Sequence, residues 1–145
     1  KEYSNIGAAC IGEHGGGAIR LYESMTYGEV PLKLTEEQQA QAEKECADWF
    51  GHWTDLETGT TTGYTSGVTM SMMIESIAKD GDLIIPCSTP LCDQMGYDNC
   101  AMGLPVKLGK GGVKEMIIPA LTPERKEELN KVADKISEMI AQAGY

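Results

Sequence analysis

Residues Ile11, Gly12, Glu13, His14 and Gly15 place an imidazole in a glycine-flanked loop directly after a short apolar run, 6–11. The run reads as a buried strand. Glycines on either side of the Glu-His pair let the backbone turn sharply and present a side chain to a cleft. Histidine titrates near neutral pH, so His14 is the candidate for proton transfer. A histidine beside glycines is more often a satisfied, hydrogen-bonded loop residue, so the remainder of the chain has to supply the weight.

Outward from the histidine, Gly15, Gly16 and Gly17 continue the loop, and 18–22 is an apolar stretch of undecided type. The glycines follow a strand but lack GxGxxG spacing, so no complete dinucleotide-binding unit is present. A helix follows, with Thr35 as cap and Gln38 three residues on. Ala42, Cys46, Trp49, Trp53 and Leu56 recur along one face, which predicts both tryptophans in the core. Cys46 and His52 fall on different faces and make no ligand pair. Segment 58–63, all Thr and Gly, is a loop. It leads to a second helix whose Met70, Met73, Ile74 and Ile77 form another apolar stripe, read as core.

Asp80-Gly81 ends that helix ahead of a strand at 83–88. Segments 103–108 and 113–119 are strand-like and separated by Gly109, Lys110, Gly111 and Gly112, which predicts an antiparallel hairpin. The last helix takes Thr122 as cap and Pro123 in its first turn, with Leu129, Val132, Ile136 and Ile140 inward. The fold class is α+β, a mainly antiparallel sheet packed with long helices, in one domain over 1–145.

A net charge of -10, with only 12 Lys and Arg among 145 residues, excludes a nucleic-acid surface or an anionic membrane as partner. No apolar stretch approaches the roughly 20 residues of a membrane span, and the start lacks a signal-peptide layout. Five cysteines, an odd number without a CxxC pair, fit reduced thiols in a cytoplasmic protein. Cys87, Cys92, Cys100 and a histidine match no common zinc spacing, so no metal is expected. Beginning at Lys1 just before a buried-looking run, the chain reads as a fragment. GxSxG, Walker, HExxH and EF-hand patterns are absent.

Three colinear pieces carry a resemblance: GEHG at 12–15, the loop 58–67 ending in Gly-Tyr-Thr-Ser-Gly, and the run 84–113. In the last, Ile85, Pro86, Cys87, Ser88, then Gly96, Tyr97, then Gly103 to Val106 and Leu108 to Val113 keep order and spacing. Together they resemble the C-terminal, substrate-binding half of the lactate and malate dehydrogenases, without the Rossmann half. The resemblance implies a 2-hydroxy acid dehydrogenase that uses NAD, bound mainly by the absent N-terminal domain. It implies that His14 is the acid/base residue, Thr65 lines the substrate pocket and Thr69 approaches the nicotinamide. It also implies that the histidine's orienting aspartate and the arginines clamping the substrate carboxylate lie upstream, since neither Arg20 nor Arg125 matches the clamp. The expected partners are a small 2-hydroxy or 2-keto acid, the chain's own N-terminal domain, and further copies in a homo-oligomer.

Two positions depart from the family: Gly16 stands where an aspartate is usual, and Gly17 where a larger residue is common. Segment 30–58 resembles the family in less detail than its flanks. Malate is favoured as substrate over lactate or a branched 2-hydroxy acid, because Ile85 to Cys87 and 103–113 look like the malate type while 63–66 looks like the lactate type. A non-catalytic binding or assembly module is the reading from another class, and an NAD- and metal-using glycosidase of the same superfamily fits GEHG less well.

Overall fold

The computed structural model describes residues 5–57, 59, 63–90, 95–97 and 99–144. In chain order the elements are β1 (Ile6–Gly7), β2 (Cys10–Gly12), β3 (Ala18–Arg20), β4 (Thr26–Tyr27), β5 (Val30–Pro31), α1 (Glu36–Asp55), α2 (Tyr64–Lys79), β6 (Leu83–Pro90), β7 (Ala101–Gly109), β8 (Gly112–Met116) and α3 (Pro123–Gln142). Among the described strands every pairing is antiparallel. The α+β expectation therefore holds.

β7 organises the main sheet. Met102, Leu104, Val106 and Leu108 are buried while Gly103, Pro105 and Lys107 between them are half-buried, the period-two pattern of a strand with one face on a core. β6 pairs with it along its whole length, from Leu83 opposite Leu108 to Pro90 opposite Ala101. β2 joins through Gly12 opposite Gly103, and β3 then pairs with β2, Ile11 facing Ile19. β8 covers the far end of β7 across a register shift between Lys107 and Leu108. The hairpin expectation holds, with Lys110 and Gly111 as its turn and Gly111 at φ 93°.

The core lies between this sheet and α3, where Ile11, Ile19, Leu21, Met102 and Leu104 meet Leu129, Val132 and Ala133. α3 begins as expected: the Thr122 hydroxyl accepts from the Arg125 N–H at 3.3 Å and Pro123 occupies the first turn. Leu129 and Val132 are buried, Ile136 and Ile140 half-buried. α1 also begins as expected, with the reciprocal Thr35–Gln38 capping box.

Three expectations fail, and one stretch left undecided is resolved. The run 6–11 is not one buried strand; it breaks at residues 8–9, and Ile11 alone of its side chains is buried. Stretch 18–22 resolves into β3 and a 3₁₀ turn (Tyr22–Ser24). Trp49 is 58% and Leu56 70% exposed, and α1 has no buried residue, so the tryptophans are not core. Periodicity reveals that a helix has an apolar stripe, not what covers it; here Ala42 and Trp53 are half-buried and the rest of the stripe is exposed. On α2 the stripe is likewise displaced: Met70, Ile74 and Ile77 are exposed, Met73 is half-buried, and the buried residue is Ser76. Most of loop 58–63 and Cys92 lie outside the described residues.

Candidate functional site

The histidine loop is a tight reversal between β2 and β3. The Glu13 N–H donates to the Gly17 carbonyl at 3.2 Å, and the Ala18 N–H donates to the Gly15 carbonyl, also at 3.2 Å. Gly12 sits at φ 93°, and a Cβ there would lie 2.6 Å from the Gly17 oxygen, so the reversal needs glycine at this point. His14 stands exposed at its tip.

Beside it opens a cleft of about 440 Å³ across β2, β6 and β7. His14 and Gly12 line it from the loop, Cys10 from β2, Pro86 and Ser88 from β6, and Gly103 from β7. Gly12, Gly103 and the small side chains of Cys10, Ser88 and Ala101 keep it open across three adjacent strands, with Ile11 and Met102 also in the lining, a concave, largely apolar site of the kind that takes a small molecule. Two thiols lie in the wall. Burial pushes the Cys10 thiol up, an effect opposed by the Arg20 charge, and burial pushes up that of Cys87. Both therefore stay protonated and are poor nucleophiles near neutral pH. The imidazole of His14 shares this lining with the two thiols and with the Glu13 carboxylate.

Thr65 lies exposed in the first turn of α2, and the half-buried Thr69 donates its hydroxyl to the Thr65 carbonyl at 3.0 Å. Such a back-bond is a common use of a helical threonine. Neither threonine is among the residues lining the cleft. The two arginines are both engaged by carboxylates: Arg20 with Glu43 at 2.7 Å, Arg125 with Glu128 at 2.8 Å and Glu23 at 3.7 Å. They line a second cleft of about 440 Å³ behind the loop at Gly16 and Gly17, not the one beside His14. Among the described residues no group of three or more His, Cys, Asp or Glu side chains could hold a metal ion.

Sequence reasoning missed two parts of the site. Cys10 reads in the sequence only as one of five thiols, although it opens β2 four residues before His14; what the pattern does not show is that both line one cleft with residues of β6 and β7. Lys135, whose ammonium meets Glu13 Oε2 at 2.7 Å, is 122 residues away in the chain, and no local pattern could signal it.

The sequence pattern of the lactate/malate dehydrogenase alpha/beta C-terminal domain matches residues 2–144. A malate dehydrogenase from a Nitratiruptor species is 33% identical over 136 residues, 93% of this chain and 43% of that protein. The crystal structure of Cryptosporidium parvum malate dehydrogenase superposes with a TM-score of 0.87 at 26% identity, over 98% of this chain and 48% of that one. Lactate dehydrogenase from Eimeria maxima, solved with NADH and oxamate, has the same fold, with a TM-score of 0.87 at 22% identity over 97% of this chain and 45% of that one. The chain thus spans less than half the length of the relatives it matches. With the antiparallel sheet, the terminal helix and the glycine-closed histidine loop all in place, the chain belongs to the lactate/malate dehydrogenase family, as its alpha/beta C-terminal domain.

Proposed function

We propose that this chain is the substrate-binding half of an NAD-dependent 2-hydroxy acid dehydrogenase, with malate and oxaloacetate as the substrate pair. The observation that carries the reading is His14 lining a cleft across β2, β6 and β7, on a loop closed by Gly12 and two backbone hydrogen bonds.

In reduction His14 would deliver a proton to the ketone oxygen, and in oxidation take the hydroxyl proton. The neutral thiols of Cys10 and Cys87 leave that exchange to the imidazole. The described residues include no glycine-rich turn leading from a strand into a helix, so they do not form a dinucleotide cradle. NAD, held mainly by the other half of the subunit, would supply and accept hydride. Thr65 is assigned to the substrate pocket and Thr69 to the nicotinamide side. Both assignments rest on their match to the family pattern, and both require the second half to complete the wall around α2.

Choice of malate is supported by the name of the Nitratiruptor relative and by the 85–87 and 103–113 segments. The partners are a small 2-hydroxy or 2-keto acid, the N-terminal NAD-binding domain and further copies of the subunit. Tyr64, Val68 and Met72, exposed along one side of α2, support a covering partner. Cytoplasmic residence is supported by the free thiols of Cys10, Cys46, Cys87 and Cys100.

The test is turnover of oxaloacetate against pyruvate with NADH, using the chain joined to its dinucleotide-binding half. Oxaloacetate should be preferred, and His14→Asn should lower kcat by about 10²–10⁴-fold, as loss of a general acid does. Preference for pyruvate would move the assignment to lactate. No turnover with either, or full activity in His14→Asn, would overturn the reading in favour of a binding module.

A further inference from the structure

We propose that Lys135 is a positioning residue for His14, acting through Glu13 as a latch between the histidine loop and α3; the proposal rests on the acid/base reading of His14. Glu13 directly precedes the histidine, and its Oε2 accepts from the Lys135 Nζ at 2.7 Å. Lys135 belongs to the helix that anchors the core, between buried Val132 and Ala133 and half-buried Ile136. The loop is thereby tied to one of the most firmly packed elements in the chain.

Few other features hold it. Gly12, Gly15, Gly16 and Gly17 give the backbone wide freedom, and a Cβ added at Gly15 or Gly16 would meet nothing within 4 Å. The tip is therefore unpacked, and its described ties are the two backbone hydrogen bonds and the Glu13 carboxylate. Gly17 makes room for that carboxylate. A Cβ on it would sit 2.7 Å from Glu13 Oε2 and 2.9 Å from Glu13 Cβ. The glycine at 17 thus has a specific use: it lets Glu13 lie across the loop and reach α3.

A proton donor works only when its geometry is held, and a misplacement of about 1 Å can cost a hundredfold in rate. Glu13 and His14 are bonded neighbours, so fixing the carboxylate restricts the backbone that carries the imidazole. Lys135 does not line the cleft and has no direct part in the chemistry. Its side chain is 56% exposed, so replacing it should leave the fold intact.

The experiment uses the enzyme carrying both halves, assayed with oxaloacetate and NADH, with thermal melting followed for each variant. Lys135→Met and Glu13→Gln should each lower kcat on the order of tenfold, part of the loss that misplacement can cause, with KM and melting temperature little changed. Lys135→Arg should retain most of kcat. The double exchange Glu13→Lys with Lys135→Glu should recover kcat relative to either single reversal, which a packing role would not allow. Wild-type kcat in Lys135→Met, with His14→Asn inactive, would overturn the latch and leave the function standing. An enzyme whose turnover ignores His14→Asn would overturn the function instead. Amide exchange gives the latch an independent readout: in Lys135→Met the Glu13 and Ala18 N–H groups should exchange faster, and unchanged rates would refute it even in a protein without turnover.

Discussion

Ser76 on α2 donates its hydroxyl to the Leu108 carbonyl on β7 at 2.9 Å, and the same oxygen accepts from the Leu83 N–H on β6 at 3.3 Å. One buried side chain thus joins a helix to two strands at the turn where α2 hands over to the sheet. Gly81 lies against it, a Cβ there falling 2.9 Å from the hydroxyl.

Ser76→Ala should destabilise the protein by about 1–3 kcal/mol, because it leaves a buried carbonyl and a partly buried N–H without their protein partner. Urea denaturation followed by circular dichroism reads this directly. A midpoint equal to that of the wild type would show that water replaces both bonds without loss.

Gly12→Ala should cost about 1–3 kcal/mol through backbone strain alone. The added methyl would occupy φ 93° and press on the Gly17 carbonyl at 2.6 Å, a backbone atom that cannot turn aside. The same substitution at Gly16, where nothing lies within 4 Å and φ is ordinary, should be close to neutral. Paired melting curves check the contrast, and equal losses at the two positions would contradict it.

Asp80 should make stability acid-sensitive. Its carboxyl is held below the ordinary 3.8, first by the hydrogen bond from Lys114 and next by the backbone N–H of Lys110. A depressed carboxylate contributes above its unfolded pKa, and that contribution is lost as the pH falls through the lower, folded value. The melting-temperature gap between wild type and Asp80→Asn should therefore shrink between about pH 6 and pH 2, either side of the usual aspartate range. A gap constant over that interval would show that the Lys114 pairing adds nothing.

The sequence disclosed most where a local rule acts by itself. Thr35 with Gln38 and Thr122 with Pro123 located two helix starts, and the glycines at 109–112 located the hairpin. It disclosed less where a signal needs a second party. The apolar stripe of α1 was visible, but the surface that would cover Trp49 is not among the described residues, so burial was inferred wrongly. Two-residue strands such as β4 and β5 show no period and could not be seen. His14 was legible because glycines mark the loop. Lys135 joins its surroundings from 122 residues away, and the β6 and β7 residues of the cleft are likewise distant in the chain.

The pairing of Gly12 with Gly103 also sets an order of assembly. Its partners are 91 positions apart, with two helices and β6 between them. A helix forms in about 0.1–1 μs. α1 carries its own capping box and a Gln41–Glu45 bond at 2.6 Å, so it needs no distant contact to begin. Joining β2 to β7 must first close the long intervening loop, an entropic cost that slows folding. Contact separation therefore predicts that the helices and the β6–β8 meander form before β2 docks on β7, and that the histidine cleft is completed late.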